Sequence, residues 1–300
     1  MNNQGGNTMK KRKVNLHLIE ACNYRCRHCF ANFDKHNVLE PETWKNIIFN
    51  SVASGMVDSF NFAGGEPLLY PHLTSLAEYA KSLSCKCSVI TNGSRINEEW
   101  IKNNASLFST IGFSLDSFSP DILRKIGRCD KSGEVLGLDR IKEIFTLIKK
   151  YNPEIKIKVN TVVSAINKDE NLVELIKKHD LPVDRWKILR MARFENECFS
   201  NTDITVTDDE YAEYISRNLA AFGIDAISNN VLYNTDTGME IVCESNLSGT
   251  YIMIDAGGYL VDDTKNSSYV RVINCSDTPF SEGIKRLTFD SEIYEARYQK

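Results

Sequence analysis

The chain lacks the features of several large protein classes. Its 300 residues contain no run of about 18 apolar residues, so no segment has the pattern of a membrane-spanning helix. Lysine and arginine total 36 against 40 acidic residues, and the net charge of −4 leaves no basic footprint for sequence-independent binding of nucleic acid. Hydrophobic residues at 42% and charged residues at 25% exclude disorder, collagen and coiled coil for the whole chain.

The N-terminal segment also lacks the pattern of a secretory leader. Basic residues at 10–13 could start one, but Asn15, His17 and Glu20 interrupt the apolar stretch that a signal peptide needs. The nine cysteines are an odd number in a long chain, which is untypical of a disulfide framework. We therefore expect a cytoplasmic protein that forms one large domain or two modest ones.

Three of the cysteines lie close together, at Cys22, Cys26 and Cys29. This spacing should arise by chance in roughly one of a hundred chains of this composition. Free cysteines are often small buried hydrophobes, but polar residues such as Asn23 and Arg25 between these three argue against a core segment. Three thiolates from one loop are typical ligands of a soft metal centre.

Two metal centres fit this motif. A 4Fe–4S cluster with three cysteine ligands keeps one iron open for another ligand, as a catalytic cluster needs. A structural zinc site needs a fourth ligand, and His28 is too close to Cys29 to complete a tetrahedron comfortably. The spacing favours iron–sulfur over zinc.

Apolar runs alternate with helix-patterned segments along the first two thirds of the chain. The predicted strands are Val14–Ile19, Ser59–Ala63, Cys87–Thr91, Thr110–Ser114, Ile155–Val163 and Arg185–Met191. The predicted helices are Pro41–Ser54, Leu73–Ser82, Asn97–Asn104, Leu136–Tyr151, Asn171–His179 and Asp208–Phe222, with Thr207 as a cap for the last. Six βα units predict an α/β fold, a parallel sheet curled into a partial or full barrel with all strand carboxyl ends on one rim.

Unusual residues follow these strands in succession. They are the cysteine loop, Gly64-Gly65-Glu66-Pro67, Asn92-Gly93-Ser94 and Ser114-Leu115-Asp116-Ser117, with Lys158 and Asn160 in strand five and Arg185 and Lys187 in strand six. Each alone is ordinary turn chemistry or a solvated charge. Six such features at six successive strands favour a functional site on the rim.

The pattern changes after about residue 225. Thr250–Asp255 and Tyr259–Asp262 flank a Gly-Gly turn and predict a hairpin, and Ser281–Leu287 and Ser291–Tyr298 predict short helices. We therefore expect a disordered stretch at 1–13, a barrel at 14–224 and an extension at 225–300. The extension would cover the barrel mouth and contribute to the substrate pocket.

The cysteine motif followed by Gly64-Gly65-Glu66-Pro67 resembles the radical S-adenosylmethionine (SAM) superfamily, and Tyr24 before Cys26 fits that pattern. Further segments resemble the viperin family in its prokaryotic form, in the same order and spacing. They are Asn61–Pro67, Asn92–Ser94, Ser114–Phe118, Ile126–Arg128, Arg185–Lys187 and Glu244–Asn246.

This resemblance implies a partial (βα)6 barrel and assigns residues to three sets. Cys22, Cys26 and Cys29 would hold a 4Fe–4S cluster whose fourth iron binds SAM. Tyr24, Gly64, Gly65, Glu66, Asn92, Ser114 and Arg128 would bind SAM. Asn15, Lys158, Asn160, Arg185 and Lys187 would bind the substrate, and Tyr251 is a candidate proton donor.

The implied substrate is a ribonucleoside triphosphate, either CTP, GTP or UTP. A 5′-deoxyadenosyl radical would remove the C4′ hydrogen, and the 3′-hydroxyl would leave as water with one further electron and one proton. The 3′-deoxy-3′,4′-didehydro product would terminate viral RNA chains, which implies defence against phage. The base is open because Ser59 and Ala63 stand where animal members have lysine and serine.

The implied partners are the nucleotide and a one-electron reductant protein of flavodoxin or ferredoxin type, without nucleic acid or membrane. Animal members attach to membranes through an N-terminal amphipathic helix, and the short polar stretch before strand one makes anchoring unexpected here. A radical SAM peptide or cofactor maturase is the alternative. Such enzymes often bind further clusters, and the wide separation of Cys198, Cys243 and Cys275 counts against it.

Overall fold

The computed structural model describes residues 11–29, 38–193, 200–220, 231–233, 238–245, 248–265, 268–290 and 294. Most of the stretch predicted to be disordered and most of the predicted helix Ser291–Tyr298 therefore lie outside the described residues. The strands are β1 Arg12–His17, β2 Val57–Ala63, β3 Lys86–Thr91, β4 Thr110–Ser114, β5 Lys156–Val163, β6 Arg185–Arg190, β7 Val231–Tyr233, β8 Glu240–Glu244, β9 Met253–Ile254, β10 Tyr259–Lys265 and β11 Ser268–Asn274. The helices are α1 Pro41–Ala53, α2 Leu73–Ser82, α3 Glu98–Asn104, α4 Pro120–Ile126, α5 Leu138–Tyr151, α6 Leu172–Lys178, α7 Asp208–Ala220 and α8 Phe280–Arg286.

The strands form one sheet in the order β11-β10-β9-β1-β2-β3-β4-β5-β6-β8-β7. Strands β1 to β6 run parallel, each beside the next, with helices in the connections. This confirms the α/β, barrel-like fold predicted from the six βα units. Within the described residues, hydrogen bonds do not close the sheet into a ring, because later strands pair with β1 and with β6.

The two faces of the parallel strands differ in polarity. On β1, Val14 and Leu16 are fully buried in the apolar core, whereas Asn15 points to the other face and bonds with Asn61 on β2. Helices cover the apolar face, and α5 shows how, with Ile141, Ile144, Phe145 and Ile148 buried at helical spacing. The polar face lines the barrel interior.

The extension after residue 225 adds strands at both ends of the parallel run. Strand β8 pairs with β6, and β9 pairs with β1. The predicted hairpin is confirmed by the antiparallel pairing of β9 with β10, where the turn places Gly258 at a φ of 82°. Thr207 is confirmed as the α7 cap, because its hydroxyl accepts from the Glu210 N–H at 3.1 Å.

The six predicted strands are confirmed, with ends that shift by two residues or fewer. Helix α4 and strands β7, β8 and β11 were not predicted. Helix α4 has only seven residues, so periodicity cannot show it, although Ser119 accepts from the Ile122 N–H and Gly127 ends the helix with a φ of 82°. Among the described residues, no helix is long and apolar enough to cross a bilayer.

Candidate active site

The cysteine loop, residues 18–29, follows β1 and packs against the glycine loop, residues 64–67, that follows β2. The Gly65 N–H donates to the Ile19 carbonyl at 2.6 Å, and the Glu66 N–H donates to the Ala21 carbonyl at 2.9 Å. A Cβ on Gly64 would lie 2.4 Å from the Ile19 carbonyl oxygen, and a Cβ on Gly65 would lie 2.2 Å from that of Ala21. Both glycines are therefore required by the close approach of two backbones.

The end of α4 holds the cysteine loop from a second direction. The Arg25 N–H donates to the Gly127 carbonyl at 3.2 Å, and the Arg27 N–H donates to the Ile126 carbonyl at 2.8 Å. A Cβ on Gly127 would lie 2.2 Å from the Arg25 carbonyl oxygen. Two separate backbone contacts thus fix the conformation of the loop that carries the three thiols.

Arg128 lies beneath this loop in a buried ion pair. Its Nε donates to Asp116 Oδ2 at 2.5 Å, and its guanidinium contacts His28 Nε2 at 3.2 Å. Burial lowers the pKa of His28 to about 4, so the ring is neutral at pH 7. His28 is thus in contact with Arg128, which does not favour it as the fourth ligand of a zinc ion.

Glu66 connects the glycine loop to the end of β3. Its buried carboxylate accepts from Thr91 Oγ1 at 2.6 Å, from the Asn92 N–H at 2.7 Å and from the Leu68 N–H at 3.1 Å. Burial raises the pKa of this carboxyl, and the three donors act against that rise. The geometry makes Glu66 a residue that positions the loops, and its predicted contact with SAM stays a prediction.

Asn92 extends this connection to the cysteine loop. Its Nδ2 donates to Asn23 Oδ1 at 2.9 Å and lies 3.9 Å from Cys22 Sγ. Asn23 in turn donates to Ser94 Oγ at 2.9 Å, and Tyr24 beside it is buried, which raises the pKa of its phenol to about 12. The predicted residues Tyr24, Glu66 and Asn92 therefore meet around the cysteine loop.

A chain of amides crosses the barrel interior below the rim. Asn61 Nδ2 donates to Asn15 Oδ1 at 2.8 Å, and Ser88 Oγ donates to Asn61 Oδ1 at 2.9 Å. Asn15 Nδ2 donates to the Ile252 carbonyl at 3.2 Å. The extension thus fixes the amide of Asn15, which is a predicted substrate residue.

A compact cluster of Lys187, Glu244 and Tyr251 joins the β6 side of the parallel sheet to its β1 side. Lys187 Nζ lies 2.5 Å from Glu244 Oε1 and also donates to the Tyr251 hydroxyl, which donates to Glu244 Oε2 at 3.0 Å. Lys187 belongs to β6 and Glu244 to β8, whereas Tyr251 precedes β9 beside β1. Side chains therefore bridge the two ends of the curled parallel sheet.

The other predicted substrate residues lie near this cluster. Arg185 donates to Glu240 Oε2 at 2.6 Å, and Lys158 is half-buried. Burial lowers the pKa of Lys158 well below its usual value, and the nearby charges of Lys187 and Arg185 lower it further. Asn160 Oδ1 is buried and has no hydrogen-bond partner among the described residues. The barrel interior thus gathers cations and an open amide oxygen.

Comparison with known proteins identifies the family. The sequence matches the Radical SAM superfamily over residues 16–178. It is 38% identical over 288 residues to the S-adenosylmethionine-dependent nucleotide dehydratase of Selenomonas ruminantium, covering 95% of this chain and 98% of that relative. The chain belongs to the radical SAM superfamily and, within it, to the nucleotide dehydratase family. A relative of the same name from Fibrobacter sp. (strain UWH6) is 29% identical over 95% of this chain and 87% of its own length.

The fold of this radical SAM enzyme also matches solved structures. Native anSMEcpe with bound AdoMet and Cp18Cys peptide superposes with a TM-score of 0.67 at 16% identity, covering 95% of this chain and 82% of that one. At this identity the likeness shows the fold alone. The resemblance stated from the motifs is confirmed, and the cofactors are a 4Fe–4S cluster and SAM.

The residues around the cysteine loop fit these cofactors. Cys22, Cys26 and Cys29 are partly accessible thiols on one loop, and soft thiolates are the ligands of iron–sulfur clusters. Among the described residues, no three His, Cys, Asp or Glu side chains converge where one ion could be held. A cluster does not need such convergence, because each thiolate binds a different iron. Burial raises the pKa of Cys26 to about 12, so a metal must displace its proton.

The sequence reasoning missed the partners of the predicted residues. Asp116 and Asn61 stood inside the quoted motifs without a role, yet they fix Arg128 and Asn15. Asn61 could have been found from strand alternation, because it follows Ser59 on the inner face of β2. Glu240 had no local signal, since its contact with β6 arises only when β8 joins the sheet.

Proposed function

We propose that this enzyme converts a ribonucleoside triphosphate to its 3′-deoxy-3′,4′-didehydro analogue. The observation that carries the proposal is the position of Lys158, Arg185 and Lys187 on the inner face of a barrel whose rim bears the three-cysteine loop. Cations in an enclosed polar interior favour a polyanion, and a nucleoside triphosphate has about four negative charges. A nucleotide is proposed as the substrate because the relatives are named nucleotide dehydratases.

The direction of the strands orients this substrate. The cysteine loop follows the carboxyl end of β1, whereas Arg185 and Lys187 are the first and third residues of β6. A nucleotide with its ribose near the rim therefore places its phosphates deeper in the barrel, among the cations. Lysine and arginine suit this role, since arginine makes bidentate contacts with phosphate and lysine acts as a point charge.

The cluster and SAM, when bound, supply a carbon radical that removes one hydrogen atom, here from C4′ of the ribose. The protein must then protonate the 3′-hydroxyl so that it leaves as water, and we assign this step to Tyr251. Lys187 donates to the Tyr251 oxygen, and the Tyr251 hydroxyl donates to Glu244, so the two partners fix the orientation of the phenol. One electron from a flavodoxin- or ferredoxin-type protein then completes the C3′–C4′ double bond.

Residues 225–300 contribute to the pocket in this proposal. Tyr251 and Glu244 both come from this part of the chain and contact Lys187 of the barrel. Because the product lacks a 3′-hydroxyl, it would stop RNA synthesis after incorporation, which supports a role in defence against phage. The named relatives and the pocket charges support the substrate class and leave the base open.

The test uses the protein reconstituted anaerobically with iron and sulfide and reduced with dithionite. SAM and each of the four ribonucleoside triphosphates are added separately, and the products are analysed by mass spectrometry. We expect 5′-deoxyadenosine and a nucleotide lighter by one water. With a substrate deuterated at C4′, the label should appear in 5′-deoxyadenosine. The proposal is wrong if no triphosphate stimulates SAM cleavage, or if the transferred label comes from another carbon.

A further inference from the structure

Lys13 lies inside the barrel at a position that the proposed mechanism does not use. Val14 and Leu16 are fully buried in the apolar core, so Lys13 and Asn15 alternate with them on the inner face of β1. The hydrogen bond from Asn61 to Asn15 fixes which face this is. The Lys13 side chain is half-buried. The charge of Lys13 therefore acts on the barrel interior as well as on the surface.

Lys13 acts on the other interior cations. Burial lowers the pKa of Lys13 to about 8, followed by the charge of Arg185, and the Asp58 carboxylate does not offset this. Lys13 in turn is one of the charges, with Lys187 and Arg185, that lower the pKa of Lys158. We call Lys13, Lys158, Arg185 and Lys187 the interior cation group, because they come from β1, β5 and β6 and influence one another.

Carboxylates contact two members of this group. Arg185 contacts Glu240 at 2.6 Å, and Lys187 contacts Glu244 at 2.5 Å. The pKa values of Lys13 and Lys158 are lowered, chiefly by burial, although Asp58 acts to raise the first and Glu244 the second. Like charges held together in a poorly solvated space raise the local affinity for a polyanion.

Strand direction places Lys13 at the deep end of the group. It is the second residue of β1, which ends at His17 before the cysteine loop, and Arg185 is the first residue of β6. At about 3.3 Å per residue, Lys13 lies some 7 Å deeper along the strand than Asn15. A nucleotide whose sugar is near the rim brings its outermost phosphate towards Lys13 and Arg185.

We propose that Lys13 is a substrate-binding residue whose ammonium group, together with Arg185, binds the terminal phosphate of the nucleoside triphosphate. This inference rests on the proposed function and deepens it, because it makes Lys13 the residue that distinguishes triphosphates from diphosphates. Ser59 is the register partner of Lys13 on β2. A lysine moved to position 59 would therefore start from the neighbouring strand at the same level.

The experiment is isothermal titration of the anaerobic holoenzyme in the presence of SAM. The titrants are the four ribonucleoside triphosphates and the diphosphate of the one that binds best. The variants are Lys13→Met, which keeps the apolar stem, Lys13→Gln as a second neutral change, and Lys13→Arg. Lys156→Met is the matched control, because Lys156 is the exposed first residue of β5. Iron content and melting temperature verify that each variant is folded.

We expect both neutral variants to bind the triphosphate about 10- to 100-fold more weakly and the diphosphate nearly as the wild type does. Lys13→Arg and Lys156→Met should bind like the wild type, and Lys13→Met with Ser59→Lys should regain part of the loss. Unchanged triphosphate binding by the neutral variants, or equal weakening for both nucleotides, would overturn the role of Lys13 alone. A wild-type protein that binds none of the four triphosphates would overturn the proposed function as well.

Discussion

At the scale of single residues, the charged side chains of the site are held in place by their ion pairs and hydrogen bonds. Lys187 is buried, and its ammonium group is shared between the Glu244 carboxylate and the Tyr251 hydroxyl. A buried lysine without such partners would lose its proton, and a buried carboxylate would gain one. The cluster therefore gives both groups a partner beside the phenol that we propose as the proton donor.

Replacing Tyr251 by phenylalanine separates hydrogen removal from loss of water. The ring stays, but the proton that turns the 3′-hydroxyl into water is missing. We expect 5′-deoxyadenosine to form with the C4′ deuterium, while the dehydrated nucleotide falls by about 100-fold. Quantifying both products by mass spectrometry in one reaction checks this. Tyr259→Phe is the control, because Tyr259 lies in β10 and stacks against Arg271 instead.

An unchanged ratio of the two products in Tyr251→Phe would mean that another group supplies the proton. A parallel fall of both would instead indicate that the phenol helps to bind the nucleotide. Only the split between the two products supports Tyr251 as an acid.

At the scale of elements, the sequence predicted the parallel strands well and the added strands poorly. Strands β1 to β6 carry apolar residues that recur with the period of a strand, and helix-patterned segments separate them. Strand β7, which was not predicted, has three residues and pairs antiparallel with β8. Such short strands have no period of their own, so only the completed sheet determines them.

The same reason separates the predicted site residues from those that were missed. The loops after β1, β2 and β3 could be placed together because parallel strands bring their carboxyl ends to one rim. The pairing of Lys187 with Glu244 could not, because it arises only when β8, from much later in the chain, joins the sheet beside β6. Which charged side chains pair inside a barrel depends on how distant strands join the sheet, and local sequence does not encode that arrangement.

The contact between the glycine loop and the cysteine loop gives a prediction about iron binding. A Cβ on Gly65 would lie 2.2 Å from a backbone oxygen of the cysteine loop, so Gly65→Ala must displace that loop. We expect reconstituted Gly65→Ala to hold less than half of the iron of the wild type, by iron assay and absorbance near 400 nm. Gly137→Ala is the matched control, because its Cβ meets nothing within 4 Å and should leave the iron content unchanged. A full iron content in Gly65→Ala would show that the loop tolerates the displacement.

At the scale of the whole molecule, the chain has a net charge of −4 and yet collects positive charge in its interior. This separation keeps the outer surface from attracting polyanions generally, while the pocket retains a local field for one of them. Lys13 and Lys158 disfavour the empty barrel, because burial and the neighbouring cations oppose their charged forms. Stability and substrate binding are therefore opposed at these positions.

Replacing Lys158 by methionine tests this opposition. The pKa of Lys158 is lowered in the folded chain, so between that pKa and the usual value near 10.5 the unfolded chain binds more protons. The free energy of unfolding should therefore rise with pH across this window in the wild type, and Lys158→Met should remove that part of the rise. Below the window, the variant should melt at a higher temperature than the wild type without nucleotide.

The preferred triphosphate should raise the melting temperature of the wild type and not that of the variant. Thermal unfolding at several pH values, with Lys156→Met as the exposed control, measures both effects. A Lys158→Met protein that is less stable than the wild type at neutral pH would show that the interior cations contribute to the stability of the empty barrel.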